Sequence, residues 1–317
     1  MSTPNPAGEI RHPGVADYGL LFGLALVWGS SFTAIKIAVD DGMPPMSVAT
    51  LRIAIGAAML VAIAAFRRQA WPAFSRANAG LWLRILFLGV VGNSLPFFLI
   101  SWGEARTTSA LAGILMAIIP LLVVIFAHFF TRDERLTVKK LIGVGLGFSG
   151  IVVLVGGDAL RGHDNAVIGQ LSIIAGAFCH SLYGVTARRL PKLPSEMLVG
   201  VILVAGLVPL LPVWLVHDRP WAFAWHGQGV AAVVWLGLLS TGGGNLLFYV
   251  ILRRVGAGLA SFNNYLVPLM ALVWAYFTLG ERPHWNAFAA LVLILTGLAL
   301  PRLSGLRRRP YPTRSRG

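Results

Sequence analysis

The sequence predicts an all-α integral membrane protein of ten transmembrane helices, arranged as two five-helix repeats of inverted topology. Three observations predict it. Apolar residues make up 56% of the 317 positions and charged residues only 12%, too little charge to cover a water-soluble chain of this size. The apolar residues gather into ten runs, each near the roughly 20 residues that a helix needs to cross the hydrocarbon core. The last five runs repeat the first five. Slid by 148 positions, Leu88-Gly89 falls on Leu236-Gly237, Arg106 on Arg254, Leu111-Ala112 on Leu259-Ala260, Pro120-Leu121 on Pro268-Leu269, and Phe129 on Phe277. After a one-residue gap Glu134-Arg135 meets Glu281-Arg282 and Gly150 meets Gly297. An odd number of crossings makes the second copy enter from the opposite side.

The runs are 17–38, 46–66, 80–101, 107–130, 136–156, 168–188, 196–216, 229–251, 257–278 and 284–303. They divide the chain into a polar N-terminal segment (1–16), a first repeat (17–156), a second repeat (168–303) and a basic tail (304–317). The N-terminal segment lacks the basic-then-apolar order of a cleaved signal, so the first run is expected to be retained. The net charge is +14, and its distribution explains it. One set of alternating connections carries Arg67, Arg68, Arg76, Arg132, Arg135, Lys139, Lys140, Arg188, Arg189, Lys192, Arg253 and Arg254, and the tail adds Arg302 to Arg316. The other set carries only Arg106, Arg161, Arg219 and Arg282. By the positive-inside rule both termini are expected in the cytoplasm, with the chain crossing the inner (cell) membrane many times. The basic balance therefore reads as topology. No nucleic-acid partner is expected, because no soluble basic face exists to carry one. The tail, with Arg307-Arg308-Arg309, is expected to be disordered and serves as a topological anchor or binds anionic headgroups of the bilayer.

Taken in order, the first run aligns Trp28, Ser31, Phe32, Ile35 and Lys36 on one face, and the sixth presents Gly176, Cys179, His180 and Tyr183 on a comparable stripe. Near offset 147, His180 would oppose Thr33 and Tyr183 would oppose Lys36. His180, close to the middle of its span, is either a neutral histidine satisfied by a neighbouring hydroxyl or a proton carrier. Lys36 and Arg52 lie within two turns of the outer ends of the first two runs, with Asp40 and Asp41 on the loop between. Both cations are read as snorkelling and pairing with those carboxylates; the alternative is capture of a substrate carboxylate. The third and eighth runs are interrupted at matching positions, where Asn93-Ser94-Leu95-Pro96 meets Thr241-Gly242-Gly243-Gly244 and Asn245 meets Phe97. Such paired interruptions point to a transport site. Pro96 removes a donor, and Gly243 and Gly244 loosen the turn or let another helix approach. Asn93, Phe97, Thr241 and Asn245 are expected to face a cavity. In the fourth and ninth runs Pro120 and Pro268 free the carbonyls of Met116 and Asn264. Of Ser261-Phe262-Asn263-Asn264-Tyr265, Asn264 and Tyr265 share a face with Pro268 and are the cavity candidates, with interhelical hydrogen bonding as the alternative. Glu104 is read as a solvated loop acid, or as a gate paired with Arg106. Glu134 and Glu281 follow span ends and are expected to cap helices or pair in loops.

These landmarks carry a resemblance. Trp28-Gly29-Ser30-Ser31-Phe32, Leu51-Arg52, Arg253-Arg254-Val255-Gly256-Ala257-Gly258 and the two blocks Pro120…Glu134…Gly150 and Pro268…Glu281…Gly297 resemble EamA-type members of the drug/metabolite transporter superfamily. The resemblance covers roughly residues 17–303. It implies a basket of ten helices whose halves are related by a pseudo-two-fold axis, with helices 1–4 and 6–9 around a central cavity and 5 and 10 at the periphery. It also implies export or exchange of small metabolites. The sixth run departs from the pattern, since Ala175-Gly176 stands where the first run has Trp-Gly.

Absences narrow the function. There is no phosphate-binding G-x-x-x-x-G-K-[ST] loop, so no ATP hydrolysis is expected. The histidines are dispersed and the lone Cys179 lies inside a span, so no metal, disulfide or cofactor is expected. No acidic residue falls at mid-membrane, which leaves His180 as the central candidate for proton coupling. The sequence thus reads as a secondary carrier that works by alternating access, not an enzyme. Its cavity candidates combine aromatic faces with amides and suit a small neutral or zwitterionic solute such as an amino acid. An integral-membrane enzyme acting on lipid headgroups and a channel are the rivals. Pairing into a homodimer is left open.

Overall fold

The computed structural model describes residues 13–71, 73–130, 136–187, 190 and 194–303. Ten apolar helices follow in order: α1 (Val15–Asp40), α2 (Pro45–Phe66), α3 (Arg76–Glu104), α4 (Ser109–Phe130), α5 (Val138–Ala159), α6 (Asp164–Thr186), α7 (Ser195–His217), α8 (Gly227–Gly256), α9 (Gly258–Leu279) and α10 (Trp285–Leu303). Among the described residues there is no strand. Helices α1 to α9 are each long and apolar enough to cross a membrane, and α10 holds a shorter apolar stretch. The chain is a multi-pass membrane protein. Glu134, Arg132, Arg135, Arg188, Arg189, Lys192 and the tail from residue 304 lie outside the described residues.

The helix ends follow local chemistry. Pro45 opens α2, where its missing N–H costs nothing. The hydroxyls of Thr108 and Thr137 accept from the amides of Leu111 and Lys140 at the starts of α4 and α5. Gly280, with φ +67°, closes α9 in the left-handed conformation that glycine adopts without penalty.

The two repeats interlock rather than sit side by side. Helix α1 packs on α8 and α9 of the second repeat, and α6 packs on α3 and α4 of the first. Helix α2 lies against α7, and α5 against α10. Each pairing has its counterpart with the repeats exchanged, as a pseudo-two-fold relation requires. Helices α5 and α10 contact each other more than any other element, through Gly143 against Gly297 and Gly150 against Ala290.

Helices α3 and α8 each contain a π-helical segment, Val90–Ser94 and Leu236–Gly243. At the 148-residue offset these occupy matching places. A π segment breaks the ordinary hydrogen-bond ladder and frees carbonyls, which at membrane depth must be enclosed by protein. Both are enclosed through glycine. A Cβ on Gly89 would stand 2.4 Å from the Gly206 amide nitrogen of α7, and one on Gly56 of α2 would stand 2.8 Å from the Thr241 methyl. The Ser94 hydroxyl donates to the carbonyls of Gly89 and Gly206. Pro120 falls at the second residue of the helical segment Ile119–Phe130, and Pro96 follows closely on the α3 π segment, where its missing N–H is one more departure from the ordinary ladder. Helix α4 is interrupted at Ala117–Ile118, just before Pro120. Its counterpart α9 is interrupted at Ser261–Phe262, well ahead of Pro268, which stays inside a helix.

Contacts at the helix ends define two faces. On the first, the Asp41 carboxylate accepts from the Gly229 amide at the start of α8, and Glu281 accepts from the amides of Ser109 and Ala110 and the Ser109 hydroxyl at the start of α4. Carboxylates there satisfy orphan N–H groups and meet the positive end of the helix dipole, so Glu281 is a cap, as expected. On the second face Arg67 pairs with Glu196, and Arg254 lies 4.0 Å from Asp17.

The Gly89 contact is testable. Gly89→Leu places a side chain against the backbone of α7, and overpacking of this kind costs about 1–3 kcal/mol. Thermal unfolding followed by size-exclusion chromatography should show a lowered midpoint. Gly145→Ala, whose Cβ meets nothing within 4 Å, should be neutral or gain up to about 1 kcal/mol.

Candidate functional site

Helix α2 carries a cation into the interior. Arg52 lies seven residues after Pro45, about 10 Å along the helix axis, and is 4% exposed. It shares a stripe with Val48, Gly56 and Leu60, four residues apart and all buried, so the packed face of α2 faces the other helices with the guanidinium on it. Its Nε donates to the Thr241 hydroxyl of α8 and Nη2 to the Ser31 hydroxyl of α1, each at 3.3 Å. The guanidinium carbon stands 3.9 Å over the Phe97 ring of α3, a favourable cation–π contact. Phe97 in turn meets the His180 ring of α6 at 5.6 Å, and His180 Nδ1 has no hydrogen-bond partner. Among the described residues no carboxylate lies within 4.0 Å of Arg52. Five helices from both repeats thus converge on one cation.

Arg52 therefore corrects the sequence expectation. It does not snorkel to Asp40 or Asp41, because its helix face is the one that packs. Lys36 does behave as read: it pairs with Asp40 at 2.9 Å, one turn on. Glu104 is a second correction. It is fully buried, not solvated, because it continues the packed stripe Pro96–Ile100 and follows Gly103, which seats against α6 at Gly169 and Ile173. Nor does it gate Arg106, whose guanidinium stacks 3.5 Å over Trp102 and donates to that residue's carbonyl.

The remaining candidates distribute as follows. Trp28 donates to the Ser240 carbonyl in the α8 π segment and packs on Gly244, where a Cβ would come within 2.4 Å of its Nε1. Tyr183 lies on Gly92 in the α3 π segment, where a Cβ would meet its ring. The amides of Asn93 and Asn245 donate to carbonyls of their own helices, Leu88 and Thr241. Phe32 belongs to the apolar core and approaches Gly113 of α4. Tyr265 packs against the same core, and Asn264 is half-exposed. Its neighbour Asn263 is the buried one, with Oδ1 unpartnered. The structure thus gathers Phe97, His180 and Thr241 around Arg52, with Trp28 alongside on α8, and leaves Phe32, Asn264 and Tyr265 elsewhere. Sequence reasoning missed the place of Arg52, Glu104 and Asn263. For the first two the signal was present, since each recurs at four-residue spacing with small or apolar residues.

A cavity of about 500 Å³ opens on the first face, lined among others by Lys36, Thr107, Leu111, Glu281 and Asn286. Among the described residues no cluster of histidine, cysteine and carboxylate side chains could hold a metal ion.

Compared with known proteins, the chain matches the model of the EamA-like transporter family twice, over residues 17–156 and 167–302. It is 29% identical to a probable terminal-alkyne amino-acid exporter of Streptantibioticus cattleyicolor, over 90% of this chain and 92% of that one. It is 23% identical to the uncharacterized transporter YoaV of Bacillus subtilis, over 91% and 97%, and 25% identical to the uncharacterized inner membrane transporter YedA of Escherichia coli K12, over 89% and 90%. A crystal structure 23% identical in sequence shares the fold, with a TM-score of 0.64 over 94% of this chain and 100% of that one. These names point to transporters rather than enzymes.

The Arg52 contacts predict energetic coupling across the repeats. A double-mutant cycle of Arg52→Gln and Thr241→Val, read by thermal unfolding in detergent, should return an interaction of about 0.5–1.5 kcal/mol. The same cycle with Arg52→Gln and Thr186→Val, a hydroxyl bonded within its own helix, should return none.

Proposed function

The chain belongs to the EamA-like transporter family, and from that premise we propose that it is a secondary carrier of a small amino-acid-like solute, exporting or exchanging it by alternating access. Arg52 receives the solute's carboxylate, and both chain ends lie in the cytoplasm. One observation carries this reading. Among the described residues Arg52 is a buried cation with no carboxylate within 4.0 Å, held by two long hydrogen bonds to hydroxyls and an aromatic face. Burying an uncompensated charge costs several kcal/mol, and a docking carboxylate removes that cost through a bidentate, charge-assisted pair. The surrounding groups, two hydroxyls and an aromatic ring, favour one small anion-bearing end rather than a polyanion. Phe97 and Trp28 offer apolar surface to the rest of the solute. The amino-acid exporter among the relatives fits the same solute class. Alternating access finds its mechanical basis in the interlocked repeats: Ser31 and Thr241 hold Arg52 from α1 and α8, so rocking one repeat against the other alters that grip.

Counterflow in proteoliposomes tests the reading. Purified protein should exchange radiolabelled L-leucine or L-threonine, and L-leucine methyl ester, which lacks the carboxylate, should not compete. Arg52→Gln should weaken exchange at least about tenfold, or 1.4 kcal/mol, and Arg52→Lys should not restore it, because an ammonium cannot reproduce the planar fork. Exchange of glycerol phosphate or tetraphenylphosphonium in preference to both amino acids refutes it. For topology, a reporter that is active only in the cytoplasm should work after Arg316 and fail within Asp158–Asp164; the reverse pattern overturns the orientation.

A further inference from the structure

Glu104 is the last residue of α3 and is fully buried, yet among the described residues neither of its carboxylate oxygens has a hydrogen-bond partner. Its charged neighbours are engaged elsewhere. From α1, the Lys36 ammonium pairs with Asp40 and reaches only the backbone carbonyl of Glu104, at 3.2 Å. From the α9–α10 connection, Glu281 caps α4. From α2, Arg52 donates to Ser31 and Thr241. From α6 come Gly169 and Ile173 against Gly103, neither charged. The charges that act on Glu104 are thus Glu281, Lys36, Arg52 and Asp40. An ionised carboxylate so placed would have nothing to accept from among the described residues, and burying the neutral acid costs far less. The cavity on the first face is lined by Lys36 and Glu281, and by Ala105 and Arg106, the residues that follow Glu104 in the chain.

We propose that Glu104 is a proton-binding site coupled to solute binding at Arg52: ionised, Glu104 competes with the solute's carboxylate for the Arg52 guanidinium, and protonated, it leaves that guanidinium free. The arrangement described corresponds to the second of these states: the Arg52 guanidinium hydrogen-bonds to hydroxyls, and among the described residues the Glu104 carboxyl has no partner. The proton moves between the Glu104 carboxyl and water in the first-face cavity, and no other bond forms or breaks. By linkage, each ligand strengthens the other, so solute and proton occupy the carrier together. The inference rests on Arg52 as the carboxylate receiver.

Two arms test it. In the first, no solute is present: the reconstituted protein is treated with dicyclohexylcarbodiimide, which modifies protonated buried carboxyls, and peptides are read by mass spectrometry. Glu104 should be labelled increasingly as pH falls, and Arg52→Gln should extend labelling to higher pH because the competing cation is gone. Absence of label on Glu104 at every pH, or a profile unmoved by Arg52→Gln, overturns the proposal. In the second arm, half-saturation of L-leucine counterflow is measured against pH. The wild-type protein should bind more weakly as pH rises. Glu104→Gln should keep the acid-pH affinity throughout, and Glu104→Asp should restore the pH dependence. A Glu104→Gln protein that still follows pH, or one that stays monodisperse but no longer exchanges leucine, refutes the coupling. If wild-type protein exchanges no leucine, the amino-acid reading fails, while the labelling arm still decides the role of Glu104.

Discussion

The close approach of α8 to α2 at Gly56 organises the centre of this protein. A π-helical turn cannot stand in lipid, because its freed carbonyls would go unanswered. It persists in α8 because Gly56 lets the segment lie directly on α2, with the Thr241 methyl where a side chain would otherwise be. That contact brings the Thr241 hydroxyl to Arg52. The mirror contact of Gly89 with Gly206 seats the π segment of α3 and so sets Phe97 beneath the same guanidinium. Three glycines, Gly56, Gly89 and Gly206, therefore position a polar centre without polar side chains of their own.

The pairing pattern explains why such a centre can work. Because α1 leans on α8 and α9 while α6 leans on α3 and α4, the groups around Arg52 are drawn from both repeats. Arg52, Ser31 and Phe97 come from the first repeat, Thr241 and His180 from the second. Any relative motion of the halves changes the number of donors and acceptors that meet the cation. The outermost pair, α5 and α10, is zipped by glycines and shares little with that centre. The faces are tied differently. Carboxylate caps from Asp41 and Glu281 cross between repeats on the first face, whereas the second is held by Arg67 with Glu196 and by contacts of Arg253 and Arg254.

A coupled pair emerges from these constraints. Arg52 is a cation short of an anion, and Glu104 is a carboxyl short of any donor. Neither group is explained by packing, since apolar residues of similar size would fill both places at lower cost. In the proposed mechanism a solute carboxylate completes the first and a proton the second.

Much of this was legible in the chain. Hydropathy set the ten helices within a few residues, because membrane thickness leaves little freedom in span length. The 148-residue repeat placed the interruptions of α3 and α8 at Asn93–Pro96 and Thr241–Gly244, close to the observed π segments. The side-chain identities at the centre depended on the fold. Arg52 and Glu104 stand near helix ends, where sequence alone favours snorkelling and solvation, and only the packing of α2 and α3 turned both inward. Asn263 and Asn264 differ by a rotation of about 100°, and the break at Ser261–Phe262, rather than Pro268, decided which was buried. Hydrophobic length and repetition are properties of a strand of residues taken alone. Which face of each helix meets a neighbour depends on glycine seats more than a hundred positions away from what they touch, and that could be settled only when the two repeats closed on each other.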